Sequence, residues 1–102
     1  MSRPANPLRG EASILLGGQE VVLRPSFEAL VAAEEELGSL FALVERAAAG
    51  GLKLSELVAL FFHCAPPGCA RERIGAAVAE AGLAKATPAL KVLLTQILAG
   101  RG

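Results

Sequence analysis

Beyond residue 25 the chain is cut by a series of helix-stopping positions: Gly38, Gly50-Gly51, the run Ala65-Pro66-Pro67-Gly68, Gly82 and Gly100. Glycine closes helices because it tolerates the left-handed backbone of a C-cap, and proline because it has no N–H for the helical ladder. Between those stops only short helices fit, and each interval has a helical apolar stripe. Ser26 is placed to cap the first, with Phe27, Leu30, Val31 and Leu37 on one face. Ser39 caps the second, lined by Leu40, Leu43, Val44 and Ala47. Ser55 is the expected cap of the third, with Leu57, Val58, Phe61 and Phe62 as its stripe. A fourth, weaker helix runs from about Ala70 to Ala81, with Ile74, Ala77 and Val78 inward. The last is expected to start at Thr87-Pro88, an N-cap followed by proline at the first helical position, and to carry Leu90, Leu93, Leu94, Ile97 and Leu98.

Ahead of the helices the period changes from 3.6 to 2. Residues 12–16 and 19–23 alternate around Gly17-Gly18, a strong hairpin signal. With a two-residue turn, Ile14 faces Val21 and Ala12 faces Leu23, while Glu11 lies opposite Arg24 as a cross-strand charge pair; a longer loop centred on the same glycines would change that register. A two-stranded ribbon is marginal alone in water. It must therefore lean on the helices, leaving outer edges available for strand addition. The fold class is mainly α with a small β part (α+β), an N-terminal β-hairpin followed by a compact bundle of four or five short helices. One domain is expected over residues 1–102: a flexible N-terminus at 1–10, the hairpin at 11–24 and the bundle at 26–100.

Ten basic and ten acidic side chains cancel. That balance argues against nucleic acid as a main partner, since phosphate contacts need a surplus of Lys and Arg. No apolar run reaches the roughly 20 residues of a membrane span, and the N-terminus has no h-region of a signal peptide, so a cytoplasmic protein is expected. Trp and Tyr are absent and Phe numbers four, whereas alanine numbers 20. Any interface must then rest on Leu, Val, Ile and Phe instead of the usual Trp and Tyr anchors.

No constellation for catalysis or cofactor binding emerges. His63, Cys64 and Cys69 supply at most three ligands where a structural zinc needs four, and no acidic residue lies within that loop. A Cys64–Cys69 disulfide is sterically conceivable, but reduced, half-buried thiols fit a cytoplasmic protein better. Glu34, Glu35 and Glu36 fan around a helix at about 100° per residue instead of converging. Glu35 and Glu36 read as solvated. Glu34 falls on the apolar stripe as a rim residue, a partner for a buried polar group or a contact to another protein. Arg71 and Arg73 open the fourth helix against its dipole, either on a solvated face or toward a partner. Glu34, Arg71, Arg73, Leu90, Leu94 and Ile97 are the candidate partner-binding residues, with an intramolecular core role equally open to the three apolar ones.

The stretch "NPLRGEASILLGGQEVVLRPSFEALVAAEEELG" and the following "SLFALVERAAAGGLKLSELVALFFHC" resemble the small tail proteins of gene transfer agents and related prophages. These are described as tail tube or tail assembly chaperone proteins of the gene-transfer-agent type. The likeness rests on N-P-x-R-G-E, a hairpin turning on glycine, L-R-P-[ST]-F-E-A-L, the acidic residue at Glu34, Gly38 and G-x-x-L-S-E-L. It covers residues 6–64. The turn departs from the family habit of an acidic residue or Asn before the glycine. The resemblance implies a non-enzymatic role in tail assembly without cofactors, with the tape measure protein and the major tail tube protein as partners and neither nucleic acid nor membrane. It implies a bacterial cytoplasmic location, with incorporation in phage-like particles if the protein is retained. Self-association is compatible with the sequence. Two alternatives are a structural minor component of the tail tube and a small helical DNA-binding regulator.

Overall fold

The computed structural model describes residues 12–99. The expected flexible segment 1–10, the Glu11–Arg24 pair and the stop at Gly100 involve residues outside that range. Strands β1 (Ala12–Leu16) and β2 (Gln19–Leu23) form an antiparallel hairpin, followed by α1 (Phe27–Leu37), α2 (Leu40–Ala48), α3 (Leu54–Cys64), α4 (Arg71–Ala81) and α5 (Leu83–Ala99). Among the described residues no helix is long and apolar enough to cross a membrane.

The hairpin has the register read from its alternation, with Ala12 opposite Leu23 and Ile14 opposite Val21. Gly17 and Gly18 both adopt positive φ, 56° and 83°. A type I′ turn, whose twist matches the strands, needs that conformation at both central positions, and L side chains resist it. The ribbon does not stand alone. β1 lies against α4 and α5, and the Arg24 N–H after β2 donates to the Cys64 carbonyl at 2.8 Å. Ala12, Leu16 and Leu23 thereby enter the common core.

Six large side chains are fully withdrawn from water: Leu23 of β2, Leu43 of α2, Leu60 and Phe61 of α3, Ile74 of α4 and Leu93 of α5. α3 is the spine, with Leu57, Val58, Ala59, Leu60, Phe61 and Cys64 all buried. α1 contributes only Ala33. The small Ala33 side chain lets α1 approach α3 closely, so Leu30, Ala33 and Leu37 turn inward. Phe27 and Val31 then fall roughly 120° and 160° around the helix from Ala33. They were expected on the packed stripe and are instead exposed, Phe27 by 82% and Val31 by 37%.

Two helix starts also differ from expectation. α3 begins at Leu54, not at a cap on Ser55, because the Glu56 carboxylate accepts the Lys53 N–H at 2.9 Å and closes the first turn from there. Glu56 is itself fixed by a bidentate pair with Arg46 of α2, at 2.8 and 2.7 Å. α5 begins at Leu83, so Pro88 lies inside it instead of opening it. The Lys85 N–H donates to the Gly82 carbonyl at 3.1 Å, forming the turn ahead of Pro88. The Thr87 hydroxyl donates back to the Leu83 carbonyl at 2.9 Å, the local bond that Thr offers in place of a cap. Leu98, expected on the packed stripe of α5, is exposed.

Candidate functional site

α1 owes its existence to local signals. Ser26 Oγ accepts the Ala29 N–H at 3.1 Å as N-cap, a contact worth about 1 kcal/mol. At the other end the Gly38 N–H donates to the Glu34 carbonyl at 2.9 Å, with φ at 83°. Between those caps the helix carries Glu28, Glu34, Glu35 and Glu36 and no basic residue.

Two of the four carboxylates are engaged. Glu34 Oε2 accepts the Leu40 N–H at 3.1 Å, satisfying one of the unpaired donors at the start of α2. Of its three expected roles, this is partnership with a backbone group of the next helix. Glu36, read as solvated, is the hub of a cross-element network. Arg71 Nη1 and Nη2 donate to its two oxygens at 2.6 and 2.9 Å, and His63 Nε2 lies 2.7 Å from Oε1. The bonds from Arg71, and then that with His63, hold its carboxyl at about 2, well below the usual carboxylate range. Arg71 also stacks its guanidinium 4.5 Å above the Phe62 ring. An arginine expected to oppose the α4 dipole is thus held by a carboxylate of α1 and an aromatic ring of α3.

Glu28 and Glu35 have no ion-pair partner among the described residues. They flank Phe27, Val31 and Ala32, and with His63 of α3 these residues line a surface groove of about 470 Å³. A second, larger concavity of about 580 Å³ lies between the hairpin and the last two helices, against Ser13, Leu15, Ala77, Ala81, Lys85 and Pro88. In the observed register Ser13 and Leu15 stand at positions whose backbone groups point away from β2, so the outer edge of β1 borders this second groove.

The six candidate partner-binding residues do not converge on one site. Glu34 and Arg71 lie near the C-terminal end of α1. Arg73 is exposed beside Gly17 of the hairpin turn. Leu90, Leu94 and Ile97 are half-buried and pack against the core. Sequence reasoning missed Glu36 and His63 as partners because 27 residues separate them. It also missed Phe27 as an exposed residue. The alanines at 29 and 33 were the available signal, since small residues mark where a helix approaches its neighbour. Cys64 is buried, not half-buried, and burial pushes its thiol up to about 12, which suits packing and not nucleophilic attack. Among the described residues no group of three His, Cys, Asp or Glu side chains could hold a metal ion.

The arrangement presents an apolar groove bordered by carboxylates on α1 that are unpaired among the described residues. The family model described as "phage tail tube protein, GTA-gp10" matches residues 9–100 of this chain. The chain belongs to that phage tail family. No curated protein and no solved structure matches it. The matched range takes in the hairpin and all five helices, so the groove on α1 and the Glu36 network both lie inside the phage tail unit.

Proposed function

We propose that this phage tail protein is a non-enzymatic assembly factor, a chaperone that binds the tape measure protein, the major tail tube subunit, or both during tail morphogenesis. The observation that carries the reading is the exposure of Phe27 and Phe41 on the first two helices, Phe27 beside a groove, in a chain that fully buries six other large apolar side chains. Burying an aromatic side chain of this kind is worth about 1.5–3 kcal/mol, and here that gain is left for another molecule. Such a factor acts in the bacterial cytoplasm before the tail is complete. Coexpression with the tape measure protein is the test. The chain is expected to raise the partner's soluble fraction and to copurify with it; no change in solubility and no complex would refute the role.

The family description, which names a tail tube protein, favours a second reading as a structural minor component retained in the particle. Quantifying the chain in purified tails separates the two. A fixed stoichiometry per tail ring supports a structural part, and its loss from finished tails supports the chaperone. A DNA-binding regulator is the weakest reading, because one of the two arginines in the most basic stretch, residues 71–73, is held by Glu36.

A further inference from the structure

We propose, building on the assembly role, that the exposed flank of α1 is the docking groove for an amphipathic helix of a partner whose apolar stripe is bordered by Lys or Arg. Phe27, Val31 and Ala32 make the apolar floor, and Glu28 and Glu35 stand along it as carboxylates without an internal partner. Charge complementarity selects the occupant. The other two carboxylates of α1 are already spent inside the fold, Glu34 on the Leu40 N–H and Glu36 on Arg71 and His63. Of the α1 carboxylates Glu28 and Glu35 remain to meet external charge; α1 has no base, and His63 of α3, which also lines the groove, is engaged by Glu36.

The shape fits a helix better than a strand. From Phe27 to Glu35 the groove runs about 12 Å, a little over two helical turns, the length over which a docking helix places anchors at i, i+3, i+4 and i+7. Among the described residues no strand residue lines this groove, whereas the β1 edge opens on the other one. The Glu36–Arg71–His63 network joins α1 to α3 and α4 beside the groove. It holds the groove wall in place before a partner arrives, which lowers the ordering cost of binding.

The competing occupant is a second copy offering α5, whose only charged residues are Lys85 and Lys91. That helix already packs its Leu93 into its own core, so an external helix is favoured.

The test uses the full chain and two synthetic peptides of about 15 residues, long enough to be helical on binding. One has a Leu stripe bordered by Lys, the other the same stripe bordered by Glu, and binding is followed by fluorescence anisotropy. The Lys peptide is expected to bind and the Glu peptide not to. Phe27→Ala should weaken the Lys peptide at least about tenfold, as loss of an aromatic anchor does. The double variant Glu28→Lys/Glu35→Lys should reverse the preference and favour the Glu peptide. Both altered carboxylates are exposed, so this variant carries the test even if Phe27→Ala perturbs folding.

Equal binding of the two peptides, no binding of either, or an unchanged preference in the double variant would overturn the proposal. So would loss of binding on Leu15→Ser, which would move the site to the hairpin groove. Concentration-dependent self-association abolished by Phe27→Ala would replace the partner helix with a second copy. The assembly role is tested separately by coexpression. A double variant that still solubilises the tape measure protein refutes the groove and spares the role. Peptide selectivity without any effect on tail proteins supports the groove and refutes the role.

Discussion

α1 and α3 are helices of 11 residues each that pack against one another, yet they treat water in opposite ways. α3 buries six residues, and α1 buries one. α3 is held by the core on almost every side. α1 is held by its caps, by a narrow Leu30–Ala33–Leu37 seam and by ionic links at its C-terminal end. A helix that the fold needs for packing and a helix that it can spare for binding lie side by side. That difference is why the proposed docking groove falls on the less buried of the two.

The largest expected effect is on the spine. Phe61→Ala should destabilise the protein by about 3–5 kcal/mol, from lost transfer energy plus the cavity left behind, read from urea midpoints. A cost under about 1 kcal/mol would mean that α3 is not the rigid element the contrast requires.

The caps come next. Ser26→Ala should cost about 1 kcal/mol, because α1 depends on its own N-terminal bond. Ser55→Ala should cost less than about 0.5 kcal/mol, because Ser55 is exposed inside α3 and caps nothing. Equal effects at the two serines would erase the distinction between a locally held helix and a core-held one.

This asymmetry also marks how far the sequence could be read. Ser26, Ser39, Gly17-Gly18 and Gly38 act through the backbone within a few residues, so the hairpin register and the ends of α1 were legible. Ser55 and Thr87 carry the same local signal but lose to nonlocal facts. Glu56 is aimed by Arg46 of another helix, and α5 gains an extra turn ahead of Pro88. The orientation of α1 was misjudged because large apolar residues mark a stripe while alanine decides closeness of approach. Ala33 placed Leu30 and Leu37 inward and turned Phe27 out. Glu36, His63 and Arg71 meet only through tertiary packing. The side chains of the candidate site were therefore the least legible part, although the helix that carries them was plainly marked.

Acid gives a smaller and more selective effect. The carboxyls of Glu36 and Glu56 are both held at about 2 by their arginines. In the unfolded chain they return to about 4.3. Their stabilising contribution is complete above that value and is lost as pH falls toward 2, because the unfolded state takes up protons first. Urea midpoints should fall across that window. Arg71→Ala removes the largest cause for Glu36, so the fall should become shallower, while stability at neutral pH drops by at most about 1 kcal/mol for a partly exposed pair. An unchanged acid profile in Arg71→Ala would show that the network does not tie α1 to its neighbours.

The smallest expected stability effect belongs to Phe27. Phe27→Ala should leave the urea midpoint within about 0.5 kcal/mol of wild type, since the ring is mostly in water. A larger loss would place Phe27 in the structural half of the molecule.

The most direct measurement of the whole account is copurification of the tape measure protein with wild-type chain and with Phe27→Ala, each checked for thermal stability. The expected result is a complex with the wild type and a folded, equally stable variant that no longer holds the partner. A variant that keeps the complex, or that loses its fold together with the complex, would contradict the claim that α1 is the helix this protein holds open for another.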